Sequence, residues 1–263
     1  MVTITSPDDP RIELYRHLHG TPQSHTDAGI LIAEGTKTTS ALLKSKIEIV
    51  SIFAMQEFYD EYSELIGNRN LAEHQLFTAG KSVMNEIVGF RLHEGIMAIG
   101  IQPPSVLIEK INFPAVALCG IVNSENVGSI IRNCAAFGVR SVIVDKATSS
   151  PYLRRAVRVS VGAVFSMQIL FVDDMVSALL HLRMECGATI ISSEITDNSV
   201  DIDEFIFPKK SVILFGSEGK GIDNAILAES DTTIYIPIQP EVNSLNVAAA
   251  SAVILRELWK SMS

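Results

Sequence analysis

Short apolar runs alternate with polar bends through the last third of the chain. Ile234-Tyr235-Ile236-Pro237-Ile238 is apolar with alternate β-branched residues, which predicts a buried strand. A polar bend follows, Gln239-Pro240-Glu241-Val242-Asn243. Residues 244–255 then have helical spacing with an Ala/Ser-rich first half, and Ser244 is the expected N-cap. Small residues there let another backbone or a ligand come close, and a helix N-terminus presents free backbone N–H groups. Upstream, Val212-Ile213-Leu214-Phe215 predicts a second buried strand, running into Gly216-Ser217-Glu218-Gly219-Lys220-Gly221. The three glycines of that loop permit tight turns and close approach to a ligand. Two strands that end in polar loops ahead of helices are how α/β proteins build a cofactor pocket.

The same alternation extends towards the N-terminus. Strands are predicted at 116–122, 141–144 and 189–192, with a helix over 173–186 whose Met175, Leu179, Leu182 and Cys186 share one face. Strands alternating with helices imply a parallel sheet. Residues 1–102 predict a separate small α/β unit, with strands at 29–33, 47–53, 76–78 and 95–100 and helices at 36–44, 57–66 and 82–88. Gln102-Pro103-Pro104-Ser105 marks the break, because paired prolines stop regular structure. The expected domains are therefore 1–102 and 103–263.

Composition narrows the class. A hydrophobic content of 47% with 19% charged residues fits a packed globule. No apolar run reaches the roughly 18 residues of a membrane span. The N-terminus has neither the basic start nor the apolar core of a secretory signal, so a cytoplasmic protein is expected. Cys119, Cys134 and Cys186 are odd in number, far apart and without metal spacing, which predicts buried free thiols and no metal. A net charge of −9 argues against a general nucleic-acid binder, so any contact with nucleic acid must use local positive charge. Arg154, Arg155 and Arg158 form such a cluster, and helical spacing would put Arg154 and Arg158 on one face. The cluster reads either as a solvated face or as a phosphate contact.

The glycine loop excludes two chemistries. Gly221 is followed by Ile222 rather than Lys-Ser/Thr, so this is not a P-loop, and the third glycine of the dinucleotide fingerprint is missing. A further helix is predicted from near Asn126, with Ile130, Ile131, Cys134 and Phe137 in one apolar stripe and Gly138 at its C-cap. Arg132 lies roughly opposite that stripe. Spacing alone leaves it as a surface arginine or a functional one.

Three blocks carry a family resemblance. Asn126-Val127-Gly128-Ser129-Ile130-Ile131-Arg132-Asn133-Cys134-Ala135-Ala136-Phe137-Gly138, Gly216-Ser217-Glu218-Gly219 and Ser244-Leu245-Asn246-Val247 resemble, in order, the three motifs of the SpoU (TrmH-like) RNA ribose 2′-O-methyltransferases. The resemblance implies an α/β fold, with a C-terminal parallel-sheet α/β knot (a SPOUT-type trefoil) behind a small α/β domain resembling ribosomal RNA-binding proteins. It implies S-adenosylmethionine as cofactor and a homodimer through the knotted domain. It makes Asn126, Arg132, Glu218, Ser244 and Asn246 the catalytic set, and Gly216, Ile236 and Leu245 the cofactor-binding residues. Arg154, Arg155 and Arg158 are then the best candidates for RNA contact. The implied acceptor is ribosomal RNA, with transfer RNA as the alternative. A different class is a catalytically idle RNA-binding or assembly protein of the same fold. Two places depart from relatives: Pro240 stands where they usually have glycine, and the run 21–28 has no lysine or arginine where they commonly carry basic residues. In such a reaction a ribose hydroxyl attacks a sulfonium methyl, so the protein must align atoms, assist proton removal and exclude water. An arginine pKa above about 12 makes Arg132 a phosphate clamp and oxyanion stabiliser rather than a base.

Overall fold

The computed structural model describes residues 1–16, 18, 25, 28–242 and 244–262. Positions 21–24, 26 and 27 of the run without lysine or arginine, and Asn243 of the polar bend, lie outside the described residues. The chain forms two compact units, Met1–Pro103 with Tyr152–Phe165, and Pro104–Pro151 with Ser166–Ser263. The break falls at the paired prolines. The return of Tyr152–Phe165 to the first unit is not readable from local pattern.

The first unit is built on a five-stranded mixed sheet. Its strands are β1 (Val2–Thr3), β2 (Ile30–Glu34), β3 (Ile49–Ala54), β4 (Leu76–Thr78) and β5 (Ile96–Ile101), ordered β1-β4-β3-β5-β2. β4 runs parallel to β1 and β3, whereas β5 is antiparallel to β2 and β3. The helix Thr36–Lys44 lies where the pattern predicts it. The expected 57–66 helix is instead two pieces, Gln56–Glu61 and Ser63–Gly67, because Tyr62 between them leaves the helical region at φ −104°, ψ 19°. Tyr15, fully buried in the core, shares a 2.8 Å hydrogen bond with the Ser51 hydroxyl.

The short helix Arg154–Val159 packs on β2. There the Arg154 guanidinium pairs with the Glu34 carboxylate and donates to the Leu18 carbonyl at 2.7 Å. It also lies 4.8 Å from the centroid of the Phe90 ring. Only 16% of the Arg154 side chain and 7% of that of Glu34 is exposed. The expectation that Arg154 offers its charge to RNA therefore needs correction: a buried carboxylate requires a cation, and Arg154 supplies it. Arg155 and Arg158 are exposed on the same helix.

The second unit holds the motifs. Seven strands, β6 (Ala115–Cys119), β7 (Ser141–Val144), β8 (Gln168–Phe171), β9 (Thr189–Ser193), β10 (Val200–Asp201), β11 (Ser211–Gly216) and β12 (Thr232–Tyr235), are ordered β10-β12-β9-β11-β6-β7-β8. Every pairing is parallel. β6 and β7 are buried throughout, and β11 through Phe215, which is why they read as unbroken apolar runs. β12 stops at Tyr235, short of the predicted 238, and Pro237 beyond it has no N–H to give a ladder. The helix Met175–Cys186 starts at an Asp174 cap and ends at Gly187, with φ +68°.

Two further helices frame the site. Ser124–Ala136 is capped by Asn123, whose side chain accepts from Glu125 N–H at 2.8 Å, and Gly138 follows it at φ +82°. It packs against the helix Val247–Met262, and Asn133 ties the two by donating to Ala248 O and Ser251 Oγ, both at 2.9 Å. The second helix starts later than predicted, at Val247. Asn246, not Ser244, caps it: its Oδ1 accepts from Ala248 N–H at 3.0 Å. Among the described residues no helix is long and apolar enough to cross a membrane.

Candidate active site

Chain order along the sheet reverses between β6 and β11, and ligands of open α/β sheets bind beyond the carboxyl ends of strands at such a point. A cavity of about 520 Å³ opens at the ends of β9, β11 and β12. Gly216, Ile236 and Leu245, the expected cofactor residues, all line it, and so do Glu218 and Ser244. The glycine loop makes the cavity's floor possible. Ser217 N–H donates to Gly221 O at 3.1 Å and Gly221 N–H to Ser217 O at 2.9 Å, closing a tight hairpin. A Cβ on Gly216 would lie 2.4 Å from the Gly221 carbonyl carbon, so only glycine fits there. Gly221 adopts φ +67°, the left-handed region that glycine enters without strain.

Three of the five expected catalytic residues meet in one hydrogen-bonded cluster, although 92 and 28 positions separate Glu218 from its two partners. Asn126, 8% exposed in the first turn of its helix, donates from Nδ2 to Glu218 Oε1 at 2.8 Å. Asn246 Nδ2 donates to the same oxygen and lies 3.4 Å from Asn126 Oδ1. The helix N-terminus sets the direction of this chain of bonds. Because Asn246 Oδ1 is held by Ala248 N–H, its amide nitrogen must face Glu218. Two helix N-terminal turns thus each send one amide to one carboxylate oxygen. Glu218 Oε2 has no partner among the described residues.

Arg132 stands apart from the cluster. It is exposed on the Ser124–Ala136 helix and has no hydrogen bond or ion pair among the described residues. Ser244 lines the cavity without joining the Glu218 network. Pro240 sits in an exposed turn closed by Val242 N–H donating to Gln239 O at 3.0 Å. Proline suits the second position of such a turn, where its own N–H is not needed. Cys119, at the end of β6 beside Gly216, is no nucleophile: burial, with the Asp145 carboxylate nearby, pushes its thiol well above the ordinary range.

Sequence reading missed Glu194. It follows β9 directly, lines the cavity, and accepts from Ile222 N–H at 3.2 Å through Oε2. The available signal was its place just past a parallel strand's carboxyl end, in a sheet whose ligand site lies at those ends.

Comparison with known proteins places the chain in a family. The pattern of the SpoU rRNA Methylase family matches residues 114–256, over half of the chain. An uncharacterized tRNA/rRNA methyltransferase of Mycobacterium bovis is 28% identical across 98% of this chain and 91% of that protein. The 23S rRNA (guanosine-2′-O-)-methyltransferase RlmB of Acinetobacter baylyi is 26% identical across 68% of this chain and 75% of its own. An AdoMet-bound rRNA methyltransferase from Sinorhizobium meliloti superposes with a TM-score of 0.85 at 21% identity, covering 99% of this chain and 98% of that one. The SpoU methyltransferase AviRb from Streptomyces viridochromogenes, solved in complex with AdoMet, gives 0.83 at 23% identity over 97% and 99%. The two structural likenesses establish the α/β fold with its parallel sheet. The matched residues contain all three motif blocks, and the chain belongs to the SpoU rRNA methylase family.

Proposed function

We propose that this chain transfers a methyl group from S-adenosylmethionine to a ribose 2′-hydroxyl of RNA, with ribosomal RNA as the acceptor. The observation that carries this reading is the Asn126–Glu218–Asn246 cluster at the rim of the glycine-loop cavity. The cavity suits the cofactor. Its wall brings backbone of the glycine loop together with Phe215, Ile236 and Leu245, which fits an adenosine and an amino acid joined without phosphate. Gly216, Ile236 and Leu245 would hold it, and when bound it supplies an electrophilic sulfonium methyl.

The protein's own groups divide the remaining work. Asn126 and Asn246 hold Glu218 Oε1, which leaves Oε2 to accept the proton of the attacking hydroxyl. Arg132 is too weak an acid to serve as a base, so it clamps the neighbouring phosphate and stabilises the developing alkoxide. Ser244 orients the substrate at the cavity mouth. Support for ribosomal RNA over transfer RNA comes from the named activity of RlmB, whose match extends over two thirds of this chain. The same reading carries the family's trefoil threading and a homodimer through the second unit.

Incubating the protein with methyl-labelled S-adenosylmethionine and total ribosomal RNA tests this directly. Label should be recovered in alkali-resistant dinucleotides, because a 2′-O-methyl group blocks hydrolysis of the adjacent phosphodiester. Label confined to alkali-sensitive mononucleotides would mean base methylation. Cofactor binding without transfer to any RNA would favour the idle RNA-binding protein.

A further inference from the structure

The carboxylate of Glu194 has no part in the mechanism above, yet the fold is arranged around it. Glu194 N–H donates to Ile234 O at 3.1 Å, which fixes its backbone between β9 and β12. Its side chain then crosses to the glycine loop, where Oε2 accepts from Ile222 N–H at 3.2 Å, while Oε1 accepts from Ile195 N–H at 3.2 Å. Gly221 lies so close that a Cβ there would come within 2.4 Å of the same Oε2. The glycine thus leaves room for a carboxylate held in one place. Glu194 has no ion-pair partner among the described residues. The charged residues of the cavity wall are Glu194, Glu218 and the exposed Lys220, so the wall carries a net negative charge. Several of its other members are apolar, among them Ile195, Phe215, Ile236 and Leu245.

The brace fixes the position of the charge as well as that of the loop. Both oxygens accept backbone N–H groups, so glutamine would turn its amide nitrogen against one of the two donors, and the carboxylate is held in place by backbone with no cation paired to it among the described residues. A fixed, unneutralised carboxylate in a wall of net negative charge favours a cationic ligand. We propose that Glu194 makes this cavity selective for a positively charged cofactor, favouring the sulfonium S-adenosylmethionine over its neutral thioether product S-adenosylhomocysteine. This rests on the cofactor reading given above and adds a specificity-determining residue to it. The consequence is release of spent cofactor: once the methyl group has left, the ligand has lost the charge that Glu194 attracts.

Calorimetry on the full chain tests the inference without any turnover. The wild-type protein should bind S-adenosylmethionine, and the amine analogue sinefungin, more tightly than S-adenosylhomocysteine. In Glu194→Gln the preference should fall by about tenfold, as expected for loss of one unit charge acting across a partly solvated cavity. Affinity for the neutral product should change less than that for S-adenosylmethionine, because only the lost backbone bond acts on it. Glu194→Asp keeps the charge but draws it back from Ile222, so it should weaken all three ligands while keeping the preference. No preference for cationic ligands in the wild type, or an unchanged preference in Glu194→Gln, overturns the inference alone. A wild-type protein that binds none of the three overturns the cofactor reading itself.

Discussion

Replacing Arg154 by methionine should destabilise the first unit rather than weaken RNA binding. The substitution keeps the aliphatic stem but removes the guanidinium that pairs with Glu34, donates to Leu18 O and lies over Phe90. Glu34 would be left 7% exposed with its charge unpaired. Breaking one side of a buried pair typically costs about 3 to 5 kcal/mol, most of it the penalty of the abandoned charge. The 16% exposure of Arg154 lets some water reach the site, which places the expected loss near the lower end, about 3 kcal/mol. For a unit of this size that corresponds to a fall in Tm of about 10 °C. Urea unfolding of the full chain, followed by the tyrosines of the first unit, measures it. The double variant Glu34→Gln/Arg154→Met should recover most of the loss, because the stranded charge is gone. A loss below about 1 kcal/mol in Arg154→Met, the range of exposed ion pairs, would refute the reasoning and return Arg154 to the solvated surface.

Three further outcomes follow from the site. Arg132→Ala should lower turnover on the order of 10² to 10³ while leaving S-adenosylmethionine affinity unchanged, measured by single-turnover methylation and calorimetry. Asn246→Ala should cost about 1 kcal/mol through the lost helix cap and also depress turnover; Asn246→Asp should restore the cap but not the activity, since it sets a second carboxylate against Glu218. Replacing Arg155 and Arg158 by glutamine should flatten the salt dependence of RNA binding by roughly 0.7 to 0.9 in log–log slope per lost phosphate contact, and an unchanged slope would make them a solvated face.

Much of this architecture was legible in the sequence because local pattern decides it. Thr36–Lys44, Leu76–Thr78 and Ser141–Val144 lie where apolar periodicity and turn residues place them. The errors come where a distant or unlikely partner decides. Ser244 looks as good a cap as Asn246, and only the bonds to Ala248 and Glu218 distinguish them. β8 is four residues, Gln168–Phe171, at a sheet edge, too short to assert itself against its surroundings. Arg154 reads as surface because its partner Glu34 is 120 positions away. The site divides in the same way. Its motif residues stand out by resemblance, and the meeting of Asn126, Glu218 and Asn246 follows from parallel strands that bring their carboxyl ends together. Glu194 belongs to no motif, so its role emerges only when Ile222 and Gly221 are found packed against it.

The central claim is ribose methylation, and mapping every 2′-O-methyl position in RNA from cells with and without the gene tests it most directly. One position in ribosomal RNA should lose its methyl group when the gene is absent, and regain it with the wild-type gene but not with one encoding Arg132→Ala. An unchanged map in both ribosomal and transfer RNA would contradict the claim.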